Sequence, residues 1–247
     1  MTRAPIGGIG VVIPVHNEED GLGACLSSVI AAARPVPVPT RVVVVLDSCH
    51  DGSARVARRS ASASGPVTVE VLEGAYDGVG SVRAAGVRRV QEIFAGTDPA
   101  TVWTAHTDAD TLVPPHWLHT QRVLADDGWD VVLGAVVPDG DPLHPAHRLW
   151  SSRHPPEEGH PHVHGANLGL RLNRYLDVGG FRALSTGEDV DIVERLTEIT
   201  ARRIATSRHR VLTSARREGR APSGFAAYMR DLDEEASTIH PHLKPGV

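Results

Sequence analysis

The first half of the chain alternates continuous apolar runs with segments of helical periodicity, and this alternation limits the fold more than any other feature. The runs at 9–15 (IGVVIPV) and 41–46 (RVVVVL) are typical of strands that are covered on both faces. Repeated βα units predict an α/β fold with a central, mostly parallel sheet that is flanked by helices. Further strands are predicted at 67–72, 101–106 and 129–137, and helices at 20–33, 51–61 (with Ser53 as N-cap), 79–94 and from Pro114 onward.

The second half has weaker periodicity. Residues 138–164 are rich in Pro, Gly and His, which predicts a long ordered loop or flap. A late strand is expected at 210–215 and a terminal helix at about 223–236. The segment from Gly187 predicts a helix whose buried side holds Ile192, Val193, Leu196 and Ile199. Because no repeat or linker divides the chain, we expect a single domain over 1–247.

Composition excludes several classes of protein. A formal charge of −5 gives no general electrostatic footprint for nucleic acid. Lys244 is the only lysine, which argues against P-loop hydrolysis and Schiff-base chemistry. No apolar run approaches the roughly 18 residues that would span a bilayer, and Cys25 and Cys49 fit reduced thiols better than a disulfide framework. We therefore expect a cytoplasmic protein with no membrane span and no nucleic-acid partner.

Two carboxylates stand two positions apart where the strand at 101–106 ends. Asp108 and Asp110 can both approach one cation from such a turn. Mg²⁺ and Mn²⁺ prefer oxygen ligands and commonly bind through one or two carboxylates together with substrate phosphates. The spacing indicates a metal site that holds a phosphorylated substrate, although aspartates are also common in turns without a ligand.

Polar residues also follow two other predicted strands, at the point where each strand ends. His16, Asn17 and Glu18 come after the first strand, and Asp47 comes after the second. Ligands of parallel α/β sheets bind at the carboxyl ends of the strands. Three acidic groups at one edge of the sheet therefore favour a site for a metal ion and a nucleotide over a set of solvated turns.

Six motifs follow one another between residues 9 and 220. Residues 11–29 (VVIPVHNEEDGLGACLSSV) and 42–58 (VVVVLDSCHDGSARVAR) each join a strand to a helix, and 78–86 (GVGSVRAAG) is an arginine-bearing helix. TDAD (107–110) precedes HGANLGLRLNRYLDVGGF (164–181) and EDVDIVERL (188–196). Together they resemble the GT-A-fold glycosyltransferases of the family 2 type. The chain departs from that pattern at Leu46, where the family has Asp, and at Ala84, where it has Asn.

The resemblance implies transfer of a hexosyl or N-acetylhexosaminyl group from a nucleotide diphosphate donor, UDP- or GDP-linked, to a hydroxyl acceptor. It places the nucleotide-sugar half at 9–137, the acceptor-side half at 138–220 and a C-terminal helix and tail at 221–247. Mn²⁺ or Mg²⁺ is the implied cofactor, with Asp110 as direct ligand, Asp108 as a ligand or ribose contact, and His209 as a further ligand. The residues implied to bind the nucleotide sugar are Pro14, Asn17, Glu18, Asp47, Arg83, Asp108, Asn167 and Arg216.

Inverting transfer needs a base that takes the proton of the incoming hydroxyl. The match to the family motif makes Asp189 the candidate, with Glu188 as its competitor. The alternative is that these acids only complement the dipole of a helix that begins there. The resemblance also suggests that the stretch containing Arg216, Arg217 and Arg220 closes over the diphosphate.

Two further sets of residues are candidates for contacts with the sugars or with a metal ion. Gly165, Asn167 and Arg171 are candidates for shaping the pocket of the acceptor and donor sugar. His160, His162 and His164 have a spacing that could bind a transition metal, but no fourth ligand is identifiable, which favours solvated or substrate-contacting side chains.

Three alternatives remain open at this point. DADTLV (108–113) is superficially similar to the nucleophile loop of haloacid-dehalogenase-type phosphatases, but Leu112 stands where that loop has Thr. A nucleotidyltransferase would need a glycine-rich loop after the first strand, which the chain lacks. The departures at Leu46 and Ala84 also permit a degenerate transferase that binds a nucleotide sugar without turnover. A short chain without a membrane span suggests a soluble or peripheral acceptor.

Overall fold

An eight-stranded sheet forms the centre of the molecule in the computed structural model, which describes residues 4–155, 157–199, 202–216 and 225–239. Its strands run in the order β3-β2-β1-β4-β7-β6-β8-β5. They are β1 Gly8–Val15, β2 Thr40–Asp47, β3 Thr68–Gly74, β4 Val102–His106, β5 Thr111–Leu112, β6 Val131–Pro138, β7 Leu168–Arg171 and β8 Arg203–Thr213. Among the described residues, four pairs of neighbouring strands are parallel and three are antiparallel.

Eight α-helices accompany the sheet in the described part of the chain. They are α1 Leu22–Ala33, α2 Ser53–Ser62, α3 Gly78–Ile93, α4 Trp117–Asp126, α5 Pro145–Arg153, α6 Leu172–Asp177, α7 Glu188–Ile199 and α8 Phe225–Ile239. The predicted strands and helices of the first half are therefore present within a few residues of their expected bounds. The α/β fold is confirmed.

The central strand β1 is covered on both faces, as its uninterrupted apolar sequence predicts. Val11 and Ile13 belong to one buried cluster, which includes Leu26 of α1. Val12 belongs to the opposite cluster, which includes Val87 of α3. Because helices cover both faces of this part of the sheet, a ligand is expected at the edge where the strands end.

The second half departs from the sequence prediction in several places. Residues 138–164 contain the helix α5, where a loop was expected. The sequence analysis did not predict the helix α6, nor the strand β7, which inserts antiparallel between β4 and β6. Ile199 is 46% exposed, so the buried side of α7 ends at Leu196. The late strand is present as β8 but begins at Arg203, seven residues before the expected start at 210, and the helix α7 and the terminal helix are present.

Candidate active site

The acids predicted at the strand ends line one cleft of about 740 Å³. Pro14 and Glu18 lie at the end of β1, Asp47 ends β2, and Asp108 and Asp110 follow β4. Asp47 is fixed because its Oδ1 accepts hydrogen bonds from the backbone N–H of Tyr76 and from the Ser48 hydroxyl, at 3.0 and 3.1 Å. The three acidic groups expected to meet at this edge do so.

Ser53 helps to hold Glu18 at the cleft. The sequence predicted Ser53 as the N-cap of α2, but Gly52 occupies the cap position, without a side-chain bond. The buried Ser53 hydroxyl instead accepts a hydrogen bond from the backbone N–H of Glu18, at 2.7 Å. The N-cap prediction was therefore wrong, because Gly52 holds the cap position. The bond from Glu18 to Ser53 instead joins the turn after β1 to the start of α2.

Arg83 of α3 joins the end of β4 to the start of α7. Its guanidinium is buried and donates from Nη2 to Asp108 Oδ1 at 2.6 Å and from Nε to Glu188 Oε1 at 2.9 Å. Its Nη1 has no hydrogen-bond partner among the described residues. A buried guanidinium with two carboxylate partners fixes both acids in place, because charge-assisted bonds are short and directional.

Arg216, which follows β8, neutralises a second pair of acids. Its Nη1 and Nη2 each donate to a carboxylate oxygen of Glu18 at 2.7 Å. Its Nη2 also lies 3.1 Å from Asp110 Oδ2. The guanidinium of Arg216 thus contacts both Glu18 and Asp110.

Asp110 is the most perturbed carboxylate that lines the cleft. Burial and, after it, the neighbouring charge of Asp108 raise its pKa to about 6, although the charge of Arg216 opposes both effects. A carboxylate held in such a place gains from an added cation. One or two carboxylates together with phosphate oxygens are the ligands that Mg²⁺ commonly has in proteins, so Asp110 and Asp108 fit a divalent ion bound with a diphosphate.

Glu188 and Asp189 begin α7 and have different environments. Glu188 is buried and bonded to Arg83; burial raises its pKa, and the charge of Arg83 opposes that shift. Asp189 is half-buried and lines the cleft, where its Oδ2 accepts a hydrogen bond from the Gly165 N–H at 2.6 Å. Its Oδ1 accepts from the N–H of Val190 at 2.9 Å. Asp189 therefore combines the expected helix-end contact with access to the cleft.

Several predicted site residues lie outside the cleft lining. Asn17 holds a turn, with φ +54° and its Oδ1 accepting from the His50 N–H at 2.8 Å. Asn167 is buried and bonds to the Trp117 indole and to the carbonyl of Ala135. Both side chains thus bond within the fold, and neither is among the residues that line the cleft.

His209 and Arg171 are also absent from the residues that line the cleft. His209 is fully buried, and burial, followed by the charge of His116, lowers its pKa to about 4. Arg171 is fully buried, where it donates to the carbonyl of Ala100 and pairs with Asp130. The described residues contain no group of three or more His, Cys, Asp or Glu able to hold a metal ion. The structure therefore does not bring His209 into the cleft lining beside Asp110.

The sequence analysis missed an aromatic surface of the cleft. It is formed by Trp150 of α5, His154 directly after α5, and Phe225 and Tyr228 of α8. The histidine-rich composition of 138–164 was the available signal, but its interpretation as a loop hid the helix that positions Trp150. Of the residues expected to close the site, Arg217 and Arg220 lie outside the described ranges.

None of the helices that the structure describes is long and apolar enough to cross a membrane.

Comparison with known proteins gives a consistent result. A family model described as "Glycosyl transferase family 2" matches residues 10–185. An undecaprenyl-phosphate 4-deoxy-4-formamido-L-arabinose transferase of Serratia proteamaculans is 32% identical over 133 residues, which cover 53% of this chain and 38% of that protein. The chain therefore spans about two fifths of that relative's length.

Solved structures of low identity share the fold. A mannosyltransferase from Pyrobaculum calidifontis in complex with GDP-Man and Mn²⁺ aligns with TM-score 0.62 and 17% identity, covering 99% of this chain and 79% of that one. S. aureus TarS 1–349 in complex with UDP aligns with TM-score 0.60 and 16% identity, covering 96% of this chain and 72% of that one. The resemblance to GT-A-fold enzymes is thus confirmed in the arrangement of the backbone.

Proposed function

Because the chain belongs to glycosyl transferase family 2, we propose that it transfers a sugar from a nucleotide diphosphate donor to a hydroxyl acceptor. The observation that carries the proposal is one cleft that joins the acids of three strand ends to Asp189. The haloacid-dehalogenase and nucleotidyltransferase alternatives have no support from the family match. A cytoplasmic location and a single domain over 1–247 are parts of the proposal, and the two cysteines are free thiols, as a reducing compartment requires.

The donor half, residues 9–137, would bind the nucleotide at the strand ends. Asp47 and Glu18 would accept hydrogen bonds from the ribose and the base, as carboxylates do in other nucleotide sites. Uracil and guanine are the expected bases of the donor, since the structural relatives bind UDP or GDP-Man. The transferred group is expected to be a hexosyl or N-acetylhexosaminyl unit.

Asp110 and Asp108 would hold Mn²⁺ or Mg²⁺ together with the donor diphosphate. When bound, the ion offsets the negative charge that develops on the leaving diphosphate. Arg216 would exchange its contacts with Glu18 and Asp110 for the diphosphate, which a guanidinium binds in bidentate fashion. Arg83 keeps Asp108 and Glu188 in place throughout.

Asp189 would act as the base, which makes the transfer inverting. The acceptor oxygen bonds to the anomeric carbon of the donor while the bond from that carbon to the diphosphate oxygen breaks. The hydroxyl proton goes to Asp189, and the bonding electron pair leaves with the nucleoside diphosphate. Asp189 suits this role better than Glu188, because Glu188 is buried against Arg83.

The test compares Asp189→Asn with Glu194→Gln, a change at an exposed acid on the same helix. Release of UDP or GDP from their sugar conjugates is measured with Mn²⁺ across a panel of acceptors. We expect Asp189→Asn to lower turnover by about 10²–10⁴-fold, the typical contribution of a positioned base, while Glu194→Gln keeps full activity.

Nucleotide binding with Mn²⁺, measured by calorimetry, is expected to survive in Asp189→Asn. Wild-type binding without any turnover would instead support a degenerate protein that only holds a nucleotide sugar. Unchanged turnover in Asp189→Asn would contradict the assignment of the base.

A further inference from the structure

The aromatic surface of the cleft has no role in the function proposed so far. We call Trp150, His154, Phe225 and Tyr228 the aromatic wall. All four line the same cleft as Asp110 and Asp189. Two helices that pack against each other, α5 and α8, supply three of them, and His154 follows α5 directly.

The wall is preorganised by packing. The Trp150 ring stacks on the His154 imidazole with centroids 3.7 Å apart and planes 5° apart. Phe225 and Tyr228 meet Trp150 edge-on, with centroids 4.8 and 5.6 Å away. Behind these rings lies a small apolar core formed by Ala146, Met229 and Leu232 with the buried part of Trp150. Such rings are held in place before any ligand arrives, so little side-chain entropy is lost on binding.

The wall carries no charge at neutral pH. Burial lowers the pKa of His154, and it lowers the pKa of the adjacent His164 to about 3. Among the described residues that line the cleft, the arginines are Arg83 and Arg216, and both are bound to carboxylates. A ligand of this surface should therefore be uncharged, with an apolar face and polar edges.

The wall adjoins the candidate base. Asp189 accepts a hydrogen bond from the Gly165 N–H, and the His164 ring next to Gly165 lies 6.0 Å from the Trp150 ring between centroids. A molecule of the size of one sugar ring, seated on the wall, would therefore lie beside Asp189.

We propose that the aromatic wall is the acceptor subsite and takes a neutral sugar ring, which stacks on the wall and turns one hydroxyl group toward Asp189. A pyranose has an apolar C–H face and hydroxyl edges, which match a flat aromatic surface beside a carboxylate. The inference rests on the proposed function and specifies its acceptor. It differs from the acceptor in the Serratia relative's name, which is a lipid phosphate.

The experiment measures binding of acceptor probes by saturation-transfer NMR, with UDP and Mn²⁺ present at saturation. The probes are methyl α-mannopyranoside, cellobiose and N,N′-diacetylchitobiose, with farnesyl phosphate as the lipid-phosphate probe. Wild type is compared with Phe225→Ala and Tyr228→Ala. Phe94→Ala is the matched control, because Phe94 is a half-buried ring that packs near Gly8, at the opposite end of β1 from the cleft.

We expect at least one saccharide to bind through its ring C–H protons. Its affinity should fall about three- to tenfold in both wall variants, in proportion to a lost aromatic contact, and stay unchanged in Phe94→Ala. Calorimetry with UDP and Mn²⁺ confirms that each variant is folded and keeps the donor site.

Three results would overturn the inference: no saccharide binds, the wall variants bind saccharides as wild type does, or farnesyl phosphate alone binds and is weakened by the same variants. In each case intact UDP binding would leave the donor site standing. Loss of UDP binding in wild type would instead contradict the proposed function itself.

Discussion

Two arginines act as internal counter-ions for four carboxylates in the cleft. Arg83 is bonded to Asp108 and Glu188, and Arg216 is bonded to Glu18 beside Asp110. The two differ in exposure: the Arg83 side chain is 2% exposed and that of Arg216 is 32% exposed. Arg83 is therefore a fixed part of the site, whereas Arg216 is placed to exchange partners when a ligand enters.

Exchange at Arg216 predicts opposite effects on two ligands. In Arg216→Gln, Mn²⁺ alone should bind more tightly, because no guanidinium competes for Asp110. UDP in the presence of Mn²⁺ should bind about tenfold more weakly, since a charge-assisted contact to phosphate is lost. Free Mn²⁺ is followed by electron paramagnetic resonance and UDP by calorimetry. Arg210→Gln, at an exposed position of β8, the strand that precedes Arg216, is the control. Weaker Mn²⁺ binding in Arg216→Gln would refute the exchange.

The lowered pKa of His209 is expected to make the free energy of unfolding depend on pH. Its pKa is about 4 in the fold and about 6.5 when unfolded, so the unfolded chain binds the extra proton. Stability is therefore complete above pH 6.5 and falls as the pH drops toward 4, by about 3 kcal/mol from this residue.

In His209→Gln, urea unfolding between pH 7 and pH 4 should show a flatter profile than wild type. Calorimetry should show unchanged binding of UDP with Mn²⁺, because His209 is not among the residues that line the cleft. A profile as steep as that of wild type would contradict the buried, neutral state of His209. Loss of Mn²⁺-dependent binding would contradict its position outside the cleft.

Sequence reasoning identified the site residues whose role depends on their place at a strand end. Asp47, Asp108 and Asp110 follow apolar runs, so their position follows from the strand pattern alone. Asn167 and Arg171 could not be assigned in this way. Their partners, such as Trp117 and Ala100, are distant in sequence, and only the folded chain shows that these polar groups satisfy buried hydrogen bonds.

At the scale of elements, the start of α3 positions the loop that leads into α7. Gly80 packs so closely on this loop that a Cβ would lie 1.9 Å from the carbonyl oxygen of Arg182. The Gly80 N–H donates to the carbonyl of Leu184 at 3.0 Å. The contact fixes the backbone just before Glu188 and Asp189.

Gly80→Ala should destabilise the protein and disturb the catalytic end of the cleft. Overpacking against backbone costs about 1–3 kcal/mol, which exceeds the gain of up to about 1 kcal/mol from alanine in a helix. Gly23→Ala is the control, because its Cβ would meet Val56 at an ordinary 3.6 Å; thermal unfolding should show unchanged or higher stability. A Gly80→Ala protein as stable as wild type would mean that the loop moves freely.

Elements with strong periodicity were predictable and those set by long-range pairing were not. The apolar run of β1 identifies it as a buried strand without further information. β7 has four residues and pairs with β4 and β6, which lie far away in sequence, so nothing local distinguishes it. The helix α5 is held by its packing on α8, which the composition of 138–164 conceals.

At the scale of the whole molecule, one cleft connects a charged end with an aromatic end, and Asp189 lies among its lining residues. The strand ends of the first half form the charged end, and α5 and α8 form the aromatic end. This division suits the proposed transfer, in which a charged donor and a neutral acceptor would bind side by side.

The central claim is that Asp110, beside Asp108, holds a divalent ion together with a nucleoside diphosphate. Calorimetric titration of UDP and of GDP, each with and without Mn²⁺, tests it in wild type, in Asp110→Asn and in Asp127→Asn, a change at an exposed aspartate. We predict Mn²⁺-dependent binding of one nucleotide, weakened by more than about tenfold in Asp110→Asn and unchanged in Asp127→Asn. Absence of binding by both nucleotides, or equal affinity in wild type and Asp110→Asn, would contradict the account.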